Sequence, residues 1–391
     1  MTTQVISFIG TGKYQPIMYG FEGKAAQQSE YILKAIHELF NPDKIWVVMT
    51  EEARKSHFDS IKSQVDFTPI DIPSGKNEAE LWQIFESISH VVEPDTELIL
   101  DVTHGFRSQP MLLLAVAVYL QAVKNVTITK ILYGAFDAKD ENGIAPIFNL
   151  LPFLDIIRWS TATEQFLKYG SATLLKDILT NIHQDAYKTN NVYLPKTLKV
   201  VGQKLNGLTQ SLAVVRPQEV VNFAKELPAK ITDAVKDIEN LPKAKPFSLL
   251  MKKIQLRLEK LSNAQGELFT NEGFIAQAEM INLCLQTEHY QQAVTLAREV
   301  FVSKMCILNS YDVITEREKG ETSIYNLSNV NKTMLSDFAR ECSEIWKILG
   351  NLRNDINHAA MRENPINSDS LIKQIKAICD RTLKIITDFN I

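Results

Sequence analysis

Cysteine is sparse in this chain, with four among 391 residues. Cys284, Cys306, Cys342 and Cys379 show no C-x-x-C or other metal-type spacing, and all four fall at apolar, helix-like positions. Neither a metal centre nor a disulfide framework is therefore expected, and the thiols read as reduced and buried. Long hydrophobic runs are missing as well: residues 111–123 are too few to span a bilayer and include Tyr119 and Gln121. The first residues, Met1-Thr2-Thr3-Gln4, lack the basic region of a signal peptide and lead straight into a strand-like segment. A cytoplasmic protein without membrane contact is the expectation. No charge of one sign dominates either. A net charge of −4 exerts no global pull toward nucleic acid, so any such binding must be local. Both common nucleotide fingerprints are incomplete. Gly10-x-Gly12 is followed by Gln15 where the dinucleotide motif needs glycine, and Gly23-Lys24-Ala25 lacks the earlier glycine and the Ser/Thr of a P-loop. An ordinary dehydrogenase or NTPase is disfavoured, and no cofactor is expected.

What is present is a chain too long for one core, which implies two or three domains. Residues 1–155 alternate strand and helix patterns. Apolar β-rich runs at 5–9, 45–49, 67–72, 98–100, 127–133 and 146–151 are separated by helical spacing at 29–40, 78–92 and 110–124. That alternation predicts an α/β domain with a parallel, doubly wound sheet. From 156 to 265 helical spacing takes over, broken near 192–195, at Arg216-Pro217 and at Leu227-Pro228. Lysines are frequent there, but interleaved acids make a solvated helical face the simpler reading over an RNA track. Residues 266–391 predict a compact helix bundle, with an antiparallel pair at 274–286 and 290–308 and a polar loop with a short helical insert at 311–332. A long helix at 334–360 and a closing one at 370–388 complete it.

The stretch Asp101-Val102-Thr103-His104-Gly105-Phe106-Arg107 sits between the run 98–100 and the helix after it. A strand, a polar glycine-bearing turn and a helix are expected, at the carboxyl edge of the sheet where open α/β folds bind ligands. A structural turn needs the glycine, but not a carboxylate, hydroxyl, imidazole and guanidinium together. Loops 10–14, 50–51 and 134–135 fall at the same rim, and Gly10, Gly12, Gly105 and Gly134 would let backbone N–H groups approach an anion.

On the long helix, Phe338, Cys342, Ile345, Leu349, Leu352 and Ile356 recur at spacings of four and three as one apolar stripe. At about 100° per residue, Arg353, Asn354, Asn357 and His358 fall roughly +100° to +240° from Leu352, on the opposite, polar face. A solvated surface explains such residues as readily as a site does.

Arg353-Asn354-Asp355-Ile356-Asn357-His358 resembles the R-x(4–6)-H signature of the HEPN ribonuclease superfamily, with a polar residue after the arginine. The stretch 101–107 resembles the D-x-T-H-G-F-R loop of CARF domains, the Rossmann-like sensors of cyclic oligoadenylate, and Gly10-Thr11-Gly12 is similar to their first ligand loop. In this order the two resemble the CARF–HEPN accessory ribonucleases of type III CRISPR systems. The middle third is unmatched beyond being helical.

The resemblance implies a CARF-like sensor at 1–155, a helical connector at 156–265 and a HEPN-like ribonuclease at 266–391. The implied activity is metal-independent cleavage of single-stranded RNA by attack of its own 2′-hydroxyl. His358 would be general acid or base, and Arg353 would stabilise phosphate charge; Asn354 or Asn357 would orient the histidine or the scissile phosphate, Asn354 following the family pattern better. The implied activator is cyclic oligoadenylate, the tetra-adenylate or the hexa-adenylate. It would touch Thr103, His104, Gly105, Phe106 and Arg107, with Thr11, Gly12 and Tyr14 on the opposite wall beside Gly10. Glu51 or Gly134 would form the rim. A homodimer or higher homo-oligomer is implied, because the family shares its active site across a twofold axis. The open alternatives are a non-enzymatic nucleotide-sensing dimeric regulator, a sensor that also degrades its activator, and a small-molecule α/β enzyme.

Overall fold

The computed structural model describes residues 2–105, 109–361 and 363–388. It divides into two compact units, residues 1–157 and 158–391.

The first unit is built on an eight-stranded sheet. Its strands are β1 (Thr3–Ile9), β2 (Met18–Phe21), β3 (Lys24–Ala25), β4 (Lys44–Met49), β5 (Thr68–Asp71), β6 (Glu97–His104), β7 (Thr127–Gly134) and β8 (Ile144–Asn149). They lie in the order β3-β2-β8-β7-β6-β1-β4-β5. The five strands from β7 to β5 are parallel, as the alternating pattern predicts. The sheet as a whole is mixed, which corrects the all-parallel expectation. β8 runs antiparallel to β7, and β2 and β3 form a hairpin that sequence reading passed over. The link from β7 to β8 is short, and a parallel return needs a crossover of a dozen residues or more.

Successive residues of β1 point to opposite faces, and both faces are covered. Val5 and Ile9 pack with α1 (Ile32–Phe40) and α2 (Glu51–Lys62). Ile6 and Phe8 pack with α3 (Glu78–Val91) and α4 (Gln109–Lys124). Burial on both sides explains why these strands read as continuous apolar runs. The α2 helix escaped the sequence reading because only Ala53 and Ile61 on it are buried. Its start is marked instead by Thr50, whose side chain accepts from the Ala53 N–H at 3.2 Å.

The second unit is helical. It comprises α5 (Pro152–Tyr169, which begins in the first unit), α6 (Thr173–Lys188), α7 (Leu198–Ala213), α8 (Pro217–Asp233), α9 (Val235–Asn240) and α10 (Lys245–Ser262). These are followed by α11 (Asn271–Gln286), α12 (Tyr290–Leu308), α13 (Arg317–Asn329), α14 (Asp337–Asn357) and α15 (Ser368–Asp388). One hydrophobic cluster reaches from Trp159 to Ile386, so the connector and bundle segments share a core. Cys284, Cys306, Cys342 and Cys379 are free and buried.

Two helix predictions need correction. α8 runs through Pro228 rather than stopping at it, because Ala224, Leu227 and Ile231 are buried on one face and hold the helix across the missing hydrogen bond. α13 is thirteen residues long where a short insert was expected.

Candidate functional site

After the β2–β3 hairpin at the far edge, β4 and β5 are laid down on one side of β1, and β6 and β7 on the other. That reversal opens a crevice beyond the carboxyl ends of β1 and β6, the place where open α/β sheets hold ligands.

The end of β6 is shaped by a bulge. Ser7 lies beside Asp101 but Ile9 lies beside His104, so β6 carries an extra residue there. Bulges of this kind re-aim side chains. Asp101 anchors it. Its fully buried carboxylate accepts from Ser7 Oγ at 2.5 Å, Thr103 Oγ1 at 2.6 Å and the Thr103 N–H at 3.0 Å. Burial raises the carboxyl pKa, and those three hydrogen bonds oppose the rise. Thr103 Oγ1 accepts in turn from the Gly134 N–H at 2.8 Å, fastening β6 to β7 just past their last paired residues, Asp101 and Leu132. The motif expected to be a turn is thus strand as far as His104.

His104 follows the bulge. Its ring packs against Tyr14 with centroids 4.1 Å apart. Its Nε2 is buried with no hydrogen-bond partner among the described residues. Burial, and then the neighbouring His57, push its pKa down to about 4, so the ring is neutral at physiological pH. Tyr14 comes from the β1 loop, and its phenol oxygen accepts from the Gly10 N–H at 3.1 Å. Behind it lie His57 and Tyr31, with centroids at 5.1 and 5.9 Å, and Tyr31 Oη is 3.1 Å from His57 Nδ1.

A cavity of about 290 Å³ opens beside this cluster. Of the residues singled out from sequence, Tyr14, Thr103, His104 and Gly134 line it together. Gly10 reaches it through Tyr14. Thr11 and Gly12 are exposed on the loop, and Gly105 follows His104. Glu51 is not among the lining residues; it opens α2 on the surface and pairs with Lys55 at 2.5 Å. Phe106 and Arg107 lie outside the described residues. Sequence reading missed Lys13, Tyr19, Glu30, Tyr133 and Asp137, which also line the cavity. Tyr19 could have been found only by recognising the β2–β3 hairpin.

Gly134 has a packing reason of its own. A Cβ there would lie 2.5 Å from Ile32 Cδ1 and 2.6 Å from the Tyr19 ring.

In the second unit the apolar stripe of α14 is as expected, with Cys342, Ile345, Leu349 and Leu352 buried. The helix does not run to residue 360, however. It ends at Asn357, and His358 is its C-cap, exposed to solvent. Ala359 and Ala360 take left-handed φ of 50° and 57°. Their N–H groups donate to the Ile356 and Asp355 carbonyls at 3.0 and 2.9 Å, the bond pattern of a Schellman closure made without glycine. Arg353 is half-buried, and its Nε has no partner among the described residues. Asn354 is exposed, and Asn357 Oδ1 accepts weakly from Gln291 Nε2 at 3.5 Å. Among the described residues no hydrogen bond or ion pair engages the guanidinium of Arg353 or the imidazole of His358.

Comparison with known proteins bears on both units. Residues 57–137 match the CARF domain of the CRISPR system endoribonuclease Csx1. That segment of the first unit is CARF-like. Residues 155–265 match the second domain of the CRISPR-associated protein MJ1674. That protein, from Methanocaldococcus jannaschii, is 26% identical over 294 residues, covering 74% of this chain. The chain spans 42% of the length of this curated relative. Both matches are to CRISPR-associated proteins. Among the described residues no helix is long and apolar enough to cross a membrane.

Proposed function

We propose that the protein is a cyclic-oligoadenylate-activated, metal-independent endoribonuclease of type III CRISPR defence, working as a homodimer or larger homo-oligomer. The observation that carries the reading is the cavity at the β1–β6 reversal, lined by His104, whose buried Nε2 has no partner among the described residues and which lies in the segment 57–137 that matches the Csx1 CARF domain. A cavity of this size takes one nucleoside unit rather than a whole ring, so an oligoadenylate would have to lie across more than one copy.

The chemistry proposed for the second unit needs a proton acceptor, a proton donor and a fixed cation. A base removes the proton of an RNA 2′-hydroxyl, whose oxygen attacks the adjacent phosphorus. The bond to the 5′-oxygen breaks, and an acid protonates that leaving group. The products are a 2′,3′-cyclic phosphate and a 5′-hydroxyl. His358 suits the proton transfers, and Arg353 the charge on the pentavalent phosphate. Asn354, next to the arginine in sequence, would orient the histidine or the scissile phosphate. That no hydrogen bond or ion pair among the described residues engages the Arg353 guanidinium or the His358 imidazole supports this use of them. A second copy of the chain would supply the other Arg–His pair.

The test is cleavage of single-stranded RNA by purified protein with cyclic tetra-adenylate or hexa-adenylate, with and without EDTA. Activity should need the ring and survive the chelator. His358→Ala and Arg353→Ala should each lose on the order of 100-fold or more. RNA left intact under every condition would refute the reading.

A further inference from the structure

The Tyr14 phenol makes a polar contact within the β1 loop itself. Gly10 is the first residue beyond β1, and its N–H is held by Tyr14 Oη at 3.1 Å, four residues further on. Both loop glycines serve that seat. A Cβ on Gly10 would lie 3.3 Å from Tyr14 Oη and 3.2 Å from the His104 carbonyl oxygen, and one on Gly12 would press the Tyr14 ring at 3.3 Å. The same ring lies against His104, whose Nε2 has no partner among the described residues. One side chain thus covers a backbone donor and an imidazole at the mouth of the crevice.

We propose that the Tyr14 oxygen stands in for an oxyanion of the ligand: the activator takes the Gly10 N–H from Tyr14 on binding, so Tyr14 sets affinity by competition. This rests on reading the cavity as an oligoadenylate site. A hydrogen bond to an ionised oxygen is roughly twice as strong as one to a neutral hydroxyl, so a phosphodiester completes the exchange and an uncharged nucleoside does not. The class of ligand selected is therefore one that carries an anionic oxygen next to the base.

The experiment uses full-length wild type and Tyr14→Phe, which keeps the ring and removes the competing oxygen. Retained folding is checked by thermal melting. Amide exchange at Gly10 in the free proteins should be faster in the variant. Calorimetric titration with cyclic tetra-adenylate and cyclic hexa-adenylate should show about fivefold tighter binding of the recognised ring by the variant, the effect of removing one net hydrogen bond. Adenosine should bind neither protein. Unchanged Gly10 exchange overturns the proposal, as does a variant that binds the ring no better than a wild type that does bind it. Adenosine bound as tightly as the ring overturns it too. A wild type that binds neither ring overturns the oligoadenylate reading itself, and this proposal with it.

Discussion

His104 shows what burial does to a single group. An unfolded histidine titrates near pH 6.5, whereas His104 in the fold stays neutral down to about 4. As pH falls through that window only the unfolded state takes up the proton, so stability drops; above about 6.5 the contribution is constant. His104→Gln should therefore flatten the decline of melting temperature between pH 7 and 5. Equal slopes in variant and wild type would show that the ring is not held neutral. At the other site, a lysine cannot reproduce the planar fork of Arg353. Arg353→Lys should lose at least about tenfold in single-turnover cleavage with RNA affinity little changed. That division separates a role in the transition state from simple charge attraction. The residue types at both sites were legible in the sequence. The packing around them was not, because Tyr14 meets His104, with Tyr31 and His57 behind it, only once the sheet, α1 and α2 come together.

At the scale of elements, the bulge in β6 and the end of α14 decide how the named side chains point. Gly134 ends β7 where a Cβ would collide with Ile32 and Tyr19. Gly134→Ala should cost about 1–3 kcal/mol, seen by denaturant unfolding, and should weaken ligand binding by moving Tyr19 into the cavity. After α14, two alanines hold left-handed backbone at roughly 1–2 kcal/mol each. Ala359→Gly should raise stability by up to about 1 kcal/mol, since glycine adopts that conformation without a Cβ clash. A melting temperature lowered by the change would mean that the methyl group's packing outweighs the strain. Sequence pattern located α14 by its apolar stripe but overran its end, because Ala-Ala is a strong helix former and nothing local stops it. The mirror error at Pro228 has the same origin, with burial of Leu227 and Ile231 overriding a local breaker.

For the whole molecule, the proposed activation is a coupling between two sites, and coupling free energies are reciprocal. Ligand that binds only the folded first unit stabilises it by about 2.7 kcal/mol at a hundredfold excess over Kd. Cyclic oligoadenylate should raise the melting temperature of the full chain by several degrees. His358→Ala should show the same rise while losing cleavage, because the proposed sensing and cutting sites lie in different units. A rise lost in His358→Ala would place the ligand in the second unit instead.

Most of the alternation of strands and helices (α2, with only Ala53 and Ile61 buried, is the exception among the helices of the first unit), the apolar faces and the two polar motifs follow from local periodicity and residue chemistry, which the linear chain carries. The antiparallel β8, the β2–β3 hairpin and the cavity wall of Tyr19, Glu30 and Asp137 do not. Neither do the seat of Tyr14 on Gly10 and the release of His358 from its helix. These depend on which distant segments come to lie side by side, and pairing of that kind is settled by closure of the whole sheet and core rather than by any neighbour in sequence.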